Sequence, residues 1–275
     1  MALLQVNLLS KTLMREVTVN VILPVDKLDM SGGDRGDKPF KTLYLLHGIF
    51  GNYTDWVTGT RIARFAEEND LCVVMPSGDN AFYVDNSKSH DFYGEFVGKE
   101  LVELTRKMFP LSKKREDTFI GGLSMGGYGA LRNGLKYNDT FGAIVALSSA
   151  CDMEEFAGRK KTDGEWFTGR DFAESCFGDL DKLLESDNNP AYTVTKLLKS
   201  KAHIPDIYMA CGESDFLLEA NRKFYKFLCD NKVKVTFEVG PGAHEWDFWD
   251  KYIKKAIEWL PTENTGLGIN SGNVK

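Results

Sequence analysis

Short apolar runs alternate with helical stripes along most of the chain. Nearly continuous apolar runs of strand length are KTLYLLH (41–47), LCVVM (71–75), DTFIG (117–121), FGAIVAL (141–147) and DIYMAC (206–211). Runs of this kind, bounded by turn residues, are typical of strands buried on both faces of a parallel sheet. Apolar residues at helical spacing predict helices around 62–66 and over 97–108, 125–137, 217–228 and 246–260. The pattern therefore predicts a repeating strand–helix unit.

The two ends of the chain depart from this repeat. Residues 17–21 alternate apolar and polar side chains, which predicts a half-buried antiparallel strand paired with residues 3–9. Residues 233–239 alternate in the same way and predict the last strand. Residues 263–275 have almost nothing to bury, so we expect a disordered tail.

The repeat is interrupted between about residues 150 and 203. This stretch is charged and rich in turn residues, with Trp166 and Phe167 in its middle. We interpret it as an irregular insertion that lies over one edge of the sheet as a cap. Residues 1–262 are then one α/β domain, with a mostly parallel central sheet and helices on both faces.

Composition narrows the class of protein. The chain has 275 residues, of which 43% are hydrophobic and 27% charged, so it can bury a large core. Its net charge is −6 and it has no dense basic block, which argues against nucleic acid as a partner. No signal peptide begins the chain and no apolar run reaches the roughly 18 residues of a membrane span, so a cytoplasmic protein without a membrane partner is expected. Scattered cysteines of odd number predict buried free thiols.

A candidate nucleophile follows the third apolar run. Residues 122–126 read GLSMG, a match to G-x-S-x-G, in which a serine stands on a sharp turn between a strand and a helix. The pattern alone is weak, because only three of its five positions are specified. Asp215 and His244 each follow a later predicted strand, and Ser124, Asp215, His244 is the chain order of an α/β-hydrolase triad.

The proposed chemistry needs each of these groups. A serine hydroxyl becomes a useful nucleophile when a neutral imidazole takes its proton, and a carboxylate orients that imidazole. The oxyanion of the tetrahedral intermediate needs donors, for which we predict the backbone N–H groups of Ile49 and Met125. Asp152, which follows the fourth run, is an alternative acid. The other histidines are predicted to pack in the oxyanion loop (His47) or to lie at the surface or in the cap (His90, His203).

Two other kinds of site are excluded by spacing. The dipeptide His244-Glu245 would need a histidine at 248 to complete H-E-x-x-H, and that residue is Phe248. The glycine-rich stretch around Ser124 completes neither of the two common phosphate-binding patterns. The acidic run DLDKLLESD (179–187) is typical of a solvated helix face. We therefore predict no metal and no cofactor.

Four segments together carry a family resemblance. HGIFGNYTDW (47–56), GLSMGGYGAL (122–131), CGESDFL (211–217) and GAHEWDFW (242–249) resemble the esterase D and tributyrin esterase group of α/β-hydrolases, which includes S-formylglutathione hydrolases and acetyl and feruloyl esterases. The resemblance covers about residues 3–260 and is strongest to the tributyrin esterases. HGIFGNYTDW replaces the cysteine-containing segment of the formylglutathione branch. The resemblance implies a carboxylesterase fold, the triad Ser124, Asp215 and His244, and a homo-oligomer.

The predicted activity is hydrolysis of small esters through an acyl-enzyme. The preference for short acyl groups comes from the resemblance alone. Feruloyl or acetylxylan-type sugar esters, an S-formylglutathione-type thioester, acyl transfer to an acceptor other than water, and a non-catalytic ligand-binding homologue remain open. Four aromatic residues are candidates to contact the substrate, although aromatic residues also fill cores: Phe50, Tyr83, Trp166 and Trp246.

Overall fold

The strands form one large sheet and one small hairpin. The computed structural model describes residues 1–28, 36–161 and 166–274. In this part of the chain the large sheet has the order β1-β2-β4-β3-β7-β8-β9-β10, and β5 pairs with β6. The strands are β1 (Ala2–Ser10), β2 (Arg15–Leu23), β3 (Lys41–Leu46), β4 (Leu71–Pro76), β5 (Asp85–Asn86), β6 (Asp91–Phe92), β7 (Thr118–Leu123), β8 (Ala143–Leu147), β9 (Asp206–Gly212) and β10 (Val235–Gly240).

Strand directions match the sequence pattern. β2 runs antiparallel to both of its neighbours, β1 and β4, while the remaining pairs of the large sheet are parallel. The predicted pairing of residues 3–9 with 17–21 is confirmed, with Leu3 opposite Ile22 and Leu9 opposite Glu16. The carboxyl ends of the parallel strands therefore share one edge of the sheet.

Helices connect the strands and cover both faces. They are α1 (Asp55–Gly59), α2 (Ile62–Glu68), α3 (Tyr93–Glu95), α4 (Leu101–Met108), α5 (Met125–Lys136), α6 (Met153–Gly158), α7 (Arg170–Phe177), α8 (Pro190–Ser200), α9 (Leu218–Asp230) and α10 (Trp246–Trp259). The helix predicted over 97–108 begins instead as a π-helical turn, Phe96–Glu100, before α4. The other predicted helices are present.

The core is divided by the sheet into two layers. On β3, Tyr44 and Leu46 face one layer while Leu43 and Leu45 face the other, and all four are fully buried. Helix α5 packs into the first layer, and α2 and α10 pack into the second. Burial of each large apolar side chain contributes about 1.5–3 kcal/mol. Because a buried layer covers each face of the sheet, β3, β4, β7 and β8 are mostly apolar on both faces.

The segment between β8 and β9 is helical where irregular structure was predicted. It contains α6, α7, α8 and two 3-10 turns, Trp166–Thr168 and Leu180–Glu185. Its helices each bury only a few side chains. In α7, Phe177 makes edge contacts with Phe82 and with Tyr128 of α5, at 5.1 and 5.8 Å between ring centroids. Helices of about two turns leave too few apolar positions for a period to be seen in the sequence.

Two further expectations differ from the structure. Residues 263–274, predicted as a disordered tail, lie against the body: Thr265 N–H donates to Glu68 O at 2.8 Å, and Ile269 N–H donates to Leu28 O at 2.8 Å. Of the predicted buried thiols, Cys229 is exposed because it lies on the outer side of α9. Across residues 1–28, 36–161 and 166–274, no helix combines the length and apolar character needed to cross a bilayer.

An ion-pair cluster holds the β4–α4 connection to helix α5. Asp85 Oδ2 accepts from Arg132 Nη2 at 3.1 Å and from Lys136 Nζ at 3.0 Å, and Asp85 Oδ1 accepts from Glu95 N–H at 2.8 Å. The Arg132 side chain is only 3% exposed. Burial opposes the charge on Asp85, but Arg132 and Lys136 outweigh it and hold the pKa of that carboxyl below its usual value.

We expect Asp85→Asn to destabilise the fold by about 3 kcal/mol at neutral pH, because Arg132 would remain buried without its counter-charge. Because folding lowers the pKa of Asp85, its charge stabilises the protein at pH values above the unfolded-state pKa of about 3.9. This stabilisation is lost as the pH falls through the folded-state pKa. The difference between wild type and variant, measured by urea unfolding, should therefore shrink below about pH 4. Asp230→Asn, in an exposed pair with Lys226, is the matched control and should change little. Equal effects of the two substitutions would contradict the prediction.

Candidate active site

Ser124 stands on a strained turn between β7 and α5. Its backbone has φ 54° and ψ −119°, a conformation that residues other than glycine rarely adopt. The flanking glycines make the turn possible by close approach. A Cβ atom on Gly122 would lie 2.4 Å from Gly126 O, and one on Gly126 would lie 2.5 Å from Leu46 O. The predicted strand–turn–helix context of GLSMG is therefore confirmed.

Close packing also explains other glycines of α5. A Cβ on Gly129 would lie 2.6 Å from the Tyr83 ring, and one on Gly134 would lie 2.4 Å from Ile144 Cγ1 of β8. Glycine in a helix interior costs about 1 kcal/mol relative to alanine. Here that cost is offset because the helix can seat directly on the sheet and on the loop after β4.

The structure brings Ser124, His244 and Asp215 into one hydrogen-bonded line. His244 Nε2 lies 3.0 Å from Ser124 Oγ. On the other side of the ring, His244 Nδ1 lies 3.0 Å from Asp215 Oδ2 and 3.2 Å from Asp215 Oδ1. Since an ionised carboxylate can only accept, Nδ1 carries the proton and Nε2 is the nitrogen that accepts from the serine hydroxyl.

The acid of this line is buried and well supplied with donors. The Asp215 side chain is fully buried, whereas that of His244 is 21% exposed. Asp215 Oδ1 also accepts from Leu217 N–H at 2.8 Å. Burial would raise the pKa of Asp215, but the hydrogen bonds from His244, the Leu217 N–H and the Ser148 hydroxyl outweigh it and lower that pKa. Asp215 is thus ionised at neutral pH.

The alternative residues do not enter this line. Asp152 instead caps α6 by accepting from Glu155 N–H at 3.3 Å, and it lies 3.3 Å from Lys223 Nζ. His90 is exposed and contacts Phe92, and His203 is exposed near the opposite end of β9. Neither histidine contacts Ser124.

The loop after β3 lies directly beside Ser124. A Cβ on Gly48 would lie 3.4 Å from Ser124 Cβ. Phe50 N–H donates to Asn80 Oδ1 at 2.8 Å, and Gly51 N–H donates to Gly48 O at 3.2 Å. Within the described residues, the N–H groups of Ile49 and Met125 have no hydrogen-bond partner. Two unpaired N–H groups therefore flank Ser124, as oxyanion donors require.

His47 fixes the conformation of this loop. Its Nδ1 lies 2.6 Å from Gly48 O, and its Nε2 accepts from Gly78 N–H at 2.9 Å. Because a backbone N–H is always the donor, the ring is neutral with its proton on Nδ1. Burial lowers the pKa of His47 and keeps it in this form. The prediction that His47 packs within the loop after β3 is confirmed.

The four predicted substrate-contacting aromatic residues divide into three groups. Tyr83 is fully buried and its hydroxyl donates to His47 O at 3.1 Å, so the prediction that it contacts substrate is wrong. Phe50 and Trp166 are exposed and stack with ring centroids 5.0 Å apart. Trp246 is half-buried and meets the Trp56 and Trp249 rings edge-on. For Phe50, Trp166 and Trp246 a substrate contact stays a prediction.

An aromatic residue that the sequence did not single out covers the imidazole. Phe216 is 77% exposed, and its ring centroid lies 4.7 Å from that of His244. Trp249 also contacts the imidazole, edge-on, with the two ring centroids 4.9 Å apart. The available signal was an apolar residue that directly follows the predicted acid. Position alone gives no reason to expect it at the surface.

No arrangement for a metal was found in the part of the chain that the structure describes. Histidine, cysteine, aspartate and glutamate side chains there form no group of three or more that could hold an ion.

Comparison with known proteins gives one consistent family. A family model described as "Putative esterase" matches residues 10–260. An acetyl esterase from Caldicellulosiruptor saccharolyticus is 48% identical over 261 residues, which are 94% of this chain and 98% of the relative.

Two solved structures from Staphylococcus aureus are also similar. One is the fluorophosphonate-binding serine hydrolase F with substrate bound, at 34% identity and a TM-score of 0.82. The other is an S-formylglutathione hydrolase without ligand, at 33% identity and a TM-score of 0.80. Each match covers 94% of this chain and 98% of the solved one.

Proposed function

The chain belongs to this esterase family and has its α/β-hydrolase fold, and on that premise we propose that it is a serine carboxylesterase that hydrolyses short-chain acyl esters through an acyl-enzyme. Carboxylic ester hydrolysis follows from the family. The roles of individual residues and the preference for short acyl groups are the proposal. The observation that carries it is the hydrogen-bonded line from Asp215 through His244 to Ser124, next to two unpaired N–H groups.

Acylation uses the two ends of the His244 ring. Ser124 Oγ attacks the ester carbonyl carbon as its proton passes to His244 Nε2. Asp215 stabilises the imidazolium through the Nδ1 proton. The carbonyl oxygen becomes an oxyanion and accepts hydrogen bonds from the N–H groups of Ile49 and Met125. When the intermediate collapses, the bond to the alcohol oxygen breaks, and that oxygen takes the proton from Nε2.

Deacylation repeats these steps with water. His244 Nε2, neutral again, removes a proton from a water molecule that attacks the acyl carbonyl carbon. The same N–H groups hold the second oxyanion. Collapse breaks the bond to Ser124 Oγ, which recovers its proton from the imidazolium, and the carboxylic acid leaves. Each group is thereby restored for the next turnover.

Support for a short acyl group comes from relatives. The 48% identical protein is named an acetyl esterase. The similar solved structure is an S-formylglutathione hydrolase, and formyl, carried there as a thioester, is a still smaller acyl group. Both relatives point to a small acyl group and differ in the leaving group. The decisive substrates are therefore those that separate acyl size from leaving group.

A panel of substrates tests the proposal. We expect kcat/KM for p-nitrophenyl acetate and butyrate to exceed that for octanoate at least tenfold, since each misfitted methylene costs about 1–3 kcal/mol. Methyl ferulate, an acetylated xylo-oligosaccharide and S-formylglutathione are tested beside them. Ser124→Ala, measured in parallel, subtracts spontaneous hydrolysis. Faster turnover of octanoate or methyl ferulate would overturn the short-chain preference. Failure of every substrate, with no labelling by a fluorophosphonate, would favour a ligand-binding protein.

A further inference from the structure

Phe216 stands on the turn that follows β9, directly after the proposed acid Asp215. Hydrogen bonds hold this turn before and after Phe216: Asp215 N–H donates to Gly212 O at 3.2 Å, and Leu218 N–H donates to Asp215 O at 3.0 Å. The centroids of the Phe216 and His244 rings are 4.7 Å apart, and the ring planes are inclined at 48°. The rings thus do not stack flat, and 77% of Phe216 is exposed. A hydrogen-bonded turn therefore presents an open apolar surface beside the imidazole.

The order of the strands gives the site two sides. Ser124 follows β7. The proposed oxyanion donor Ile49 follows β3, which lies on one side of β7, whereas Phe216 and His244 follow β9 and β10 on the other side. In the proposed mechanism the carbonyl oxygen of the ester accepts from the Ile49 N–H. The carbonyl oxygen of a bound ester therefore faces the β3 side of Ser124, and the β9 side is left for another part of the substrate.

Proton transfer places the alcohol on the His244 side. His244 Nε2, which lies 3.0 Å from Ser124 Oγ, takes the serine proton and then gives it to the alcohol oxygen. For that transfer the alcohol oxygen must come within about 2.6–3.2 Å of Nε2. The carbon chain or ring attached to this oxygen then leaves the site along the His244 side, where Phe216 lies against the imidazole.

We infer that Phe216 is a specificity-determining residue that contacts the alcohol part of the ester and favours alcohols that are apolar next to the ester oxygen, such as benzyl or butyl alcohol. This inference rests on the function proposed above. Single exposed apolar side chains are common on protein surfaces. Phe216 differ from these by its place, because the group that it contacts is the one that protonates the leaving alcohol. An apolar group that lies on the ring removes apolar surface of both from water, which favours binding.

Acetate esters of different alcohols test this, because they all give the same acetyl-enzyme. We expect Phe216→Ala to lower kcat/KM for benzyl acetate about tenfold and that for methyl acetate less than about twofold, since the methyl group is too small to cover the ring. Phe216→Leu keeps an apolar side chain and should lose at most about threefold with benzyl acetate. Leu9→Ala, at a 67% exposed position of β1, is the matched control and should change neither rate.

Deacylation separates a lost alcohol contact from a disturbed imidazole. His244 acts in both steps, whereas the alcohol has left before water attacks. Decay of the acetyl-enzyme, followed by stopped-flow after mixing with p-nitrophenyl acetate, should therefore stay within about twofold of wild type in Phe216→Ala. Equal losses for benzyl and methyl acetate, or a decay slowed about tenfold, would overturn the inference. A wild-type enzyme that neither hydrolyses these esters nor reacts with a fluorophosphonate would instead overturn the proposed function, and the two failures are thereby distinguished.

Discussion

Ser124→Ala is expected to lower kcat for ester hydrolysis about 10⁵-fold while the protein remains folded, because acylation has no other nucleophile. The hydroxyl lies 3.0 Å from His244 Nε2, and alanine leaves the imidazole with no proton to accept. Backbone strain at φ 54° is present with either side chain, so stability should change little. Initial rates with p-nitrophenyl acetate and thermal unfolding measure the two effects separately.

Ser149→Ala is the matched control for this prediction. Ser149 is a buried serine, and its Oγ has no hydrogen-bond partner among the described residues. We expect this variant to keep wild-type turnover and to be labelled by a fluorophosphonate as fully as wild type. Ser124→Ala should show neither turnover nor labelling. Wild-type turnover by Ser124→Ala would remove Ser124 from the mechanism.

The sheet and the order of site residues were predictable because they depend on strong local signals. A strand buried on both faces must be apolar throughout, and the run 143–147 could be read for that reason. The glycines at 122 and 126 are a local signal of the same kind, because any Cβ there would clash with backbone atoms. The serine turn and the ends of β9 and β10 then followed from the parallel order, in which strand ends meet at one edge.

The segment between β8 and β9 and the surface of the site were less predictable because they depend on tertiary contacts. Helices of about two turns such as α7 show too few apolar positions for a period, and they form because residues such as Phe177 pack against Phe82. Tyr83 illustrates the opposite error: it is aromatic and lies in a long loop, yet its ring fills the space that Gly129 leaves. Phe216 is exposed, and the residue that its ring contacts, His244, is distant in sequence.

Three residues at the carboxyl edge of the sheet have a backbone conformation that favours glycine. Ser124, Ser148 and Phe50 all have positive φ, at 54°, 45° and 68°. Each follows a parallel strand and is held by hydrogen bonds from a neighbouring segment. Strained residues persist where the surroundings fix them, and such residues cluster at functional sites. Hydrogen bonds to Leu147 O and Ala210 O thus hold Ser124 and Ser148 in these conformations.

Asp215→Asn is expected to lower kcat about 10⁴-fold, the second large effect of the proposed mechanism. An asparagine amide has nearly the same shape, but it has no charge to stabilise the imidazolium. Its NH₂ group would also face His244 Nδ1 as a donor and favour the tautomer with the proton on Nε2. That nitrogen could then no longer accept the proton of Ser124. Because Leu217 N–H would still donate to the side-chain oxygen, we expect the fold and KM to be retained.

Asp152→Asn distinguishes the two carboxylates that the sequence left open. Asp152 also follows a strand of the sheet, but it caps α6 and contacts Lys223. Its neutral variant should keep kcat within about twofold, since asparagine caps helices as well as aspartate does. Measuring kcat for both variants over pH 5–9 with p-nitrophenyl acetate checks the assignment. A large loss in Asp152→Asn together with full activity in Asp215→Asn would transfer the role of the acid to Asp152, against the 3.0 Å contact between Asp215 and His244.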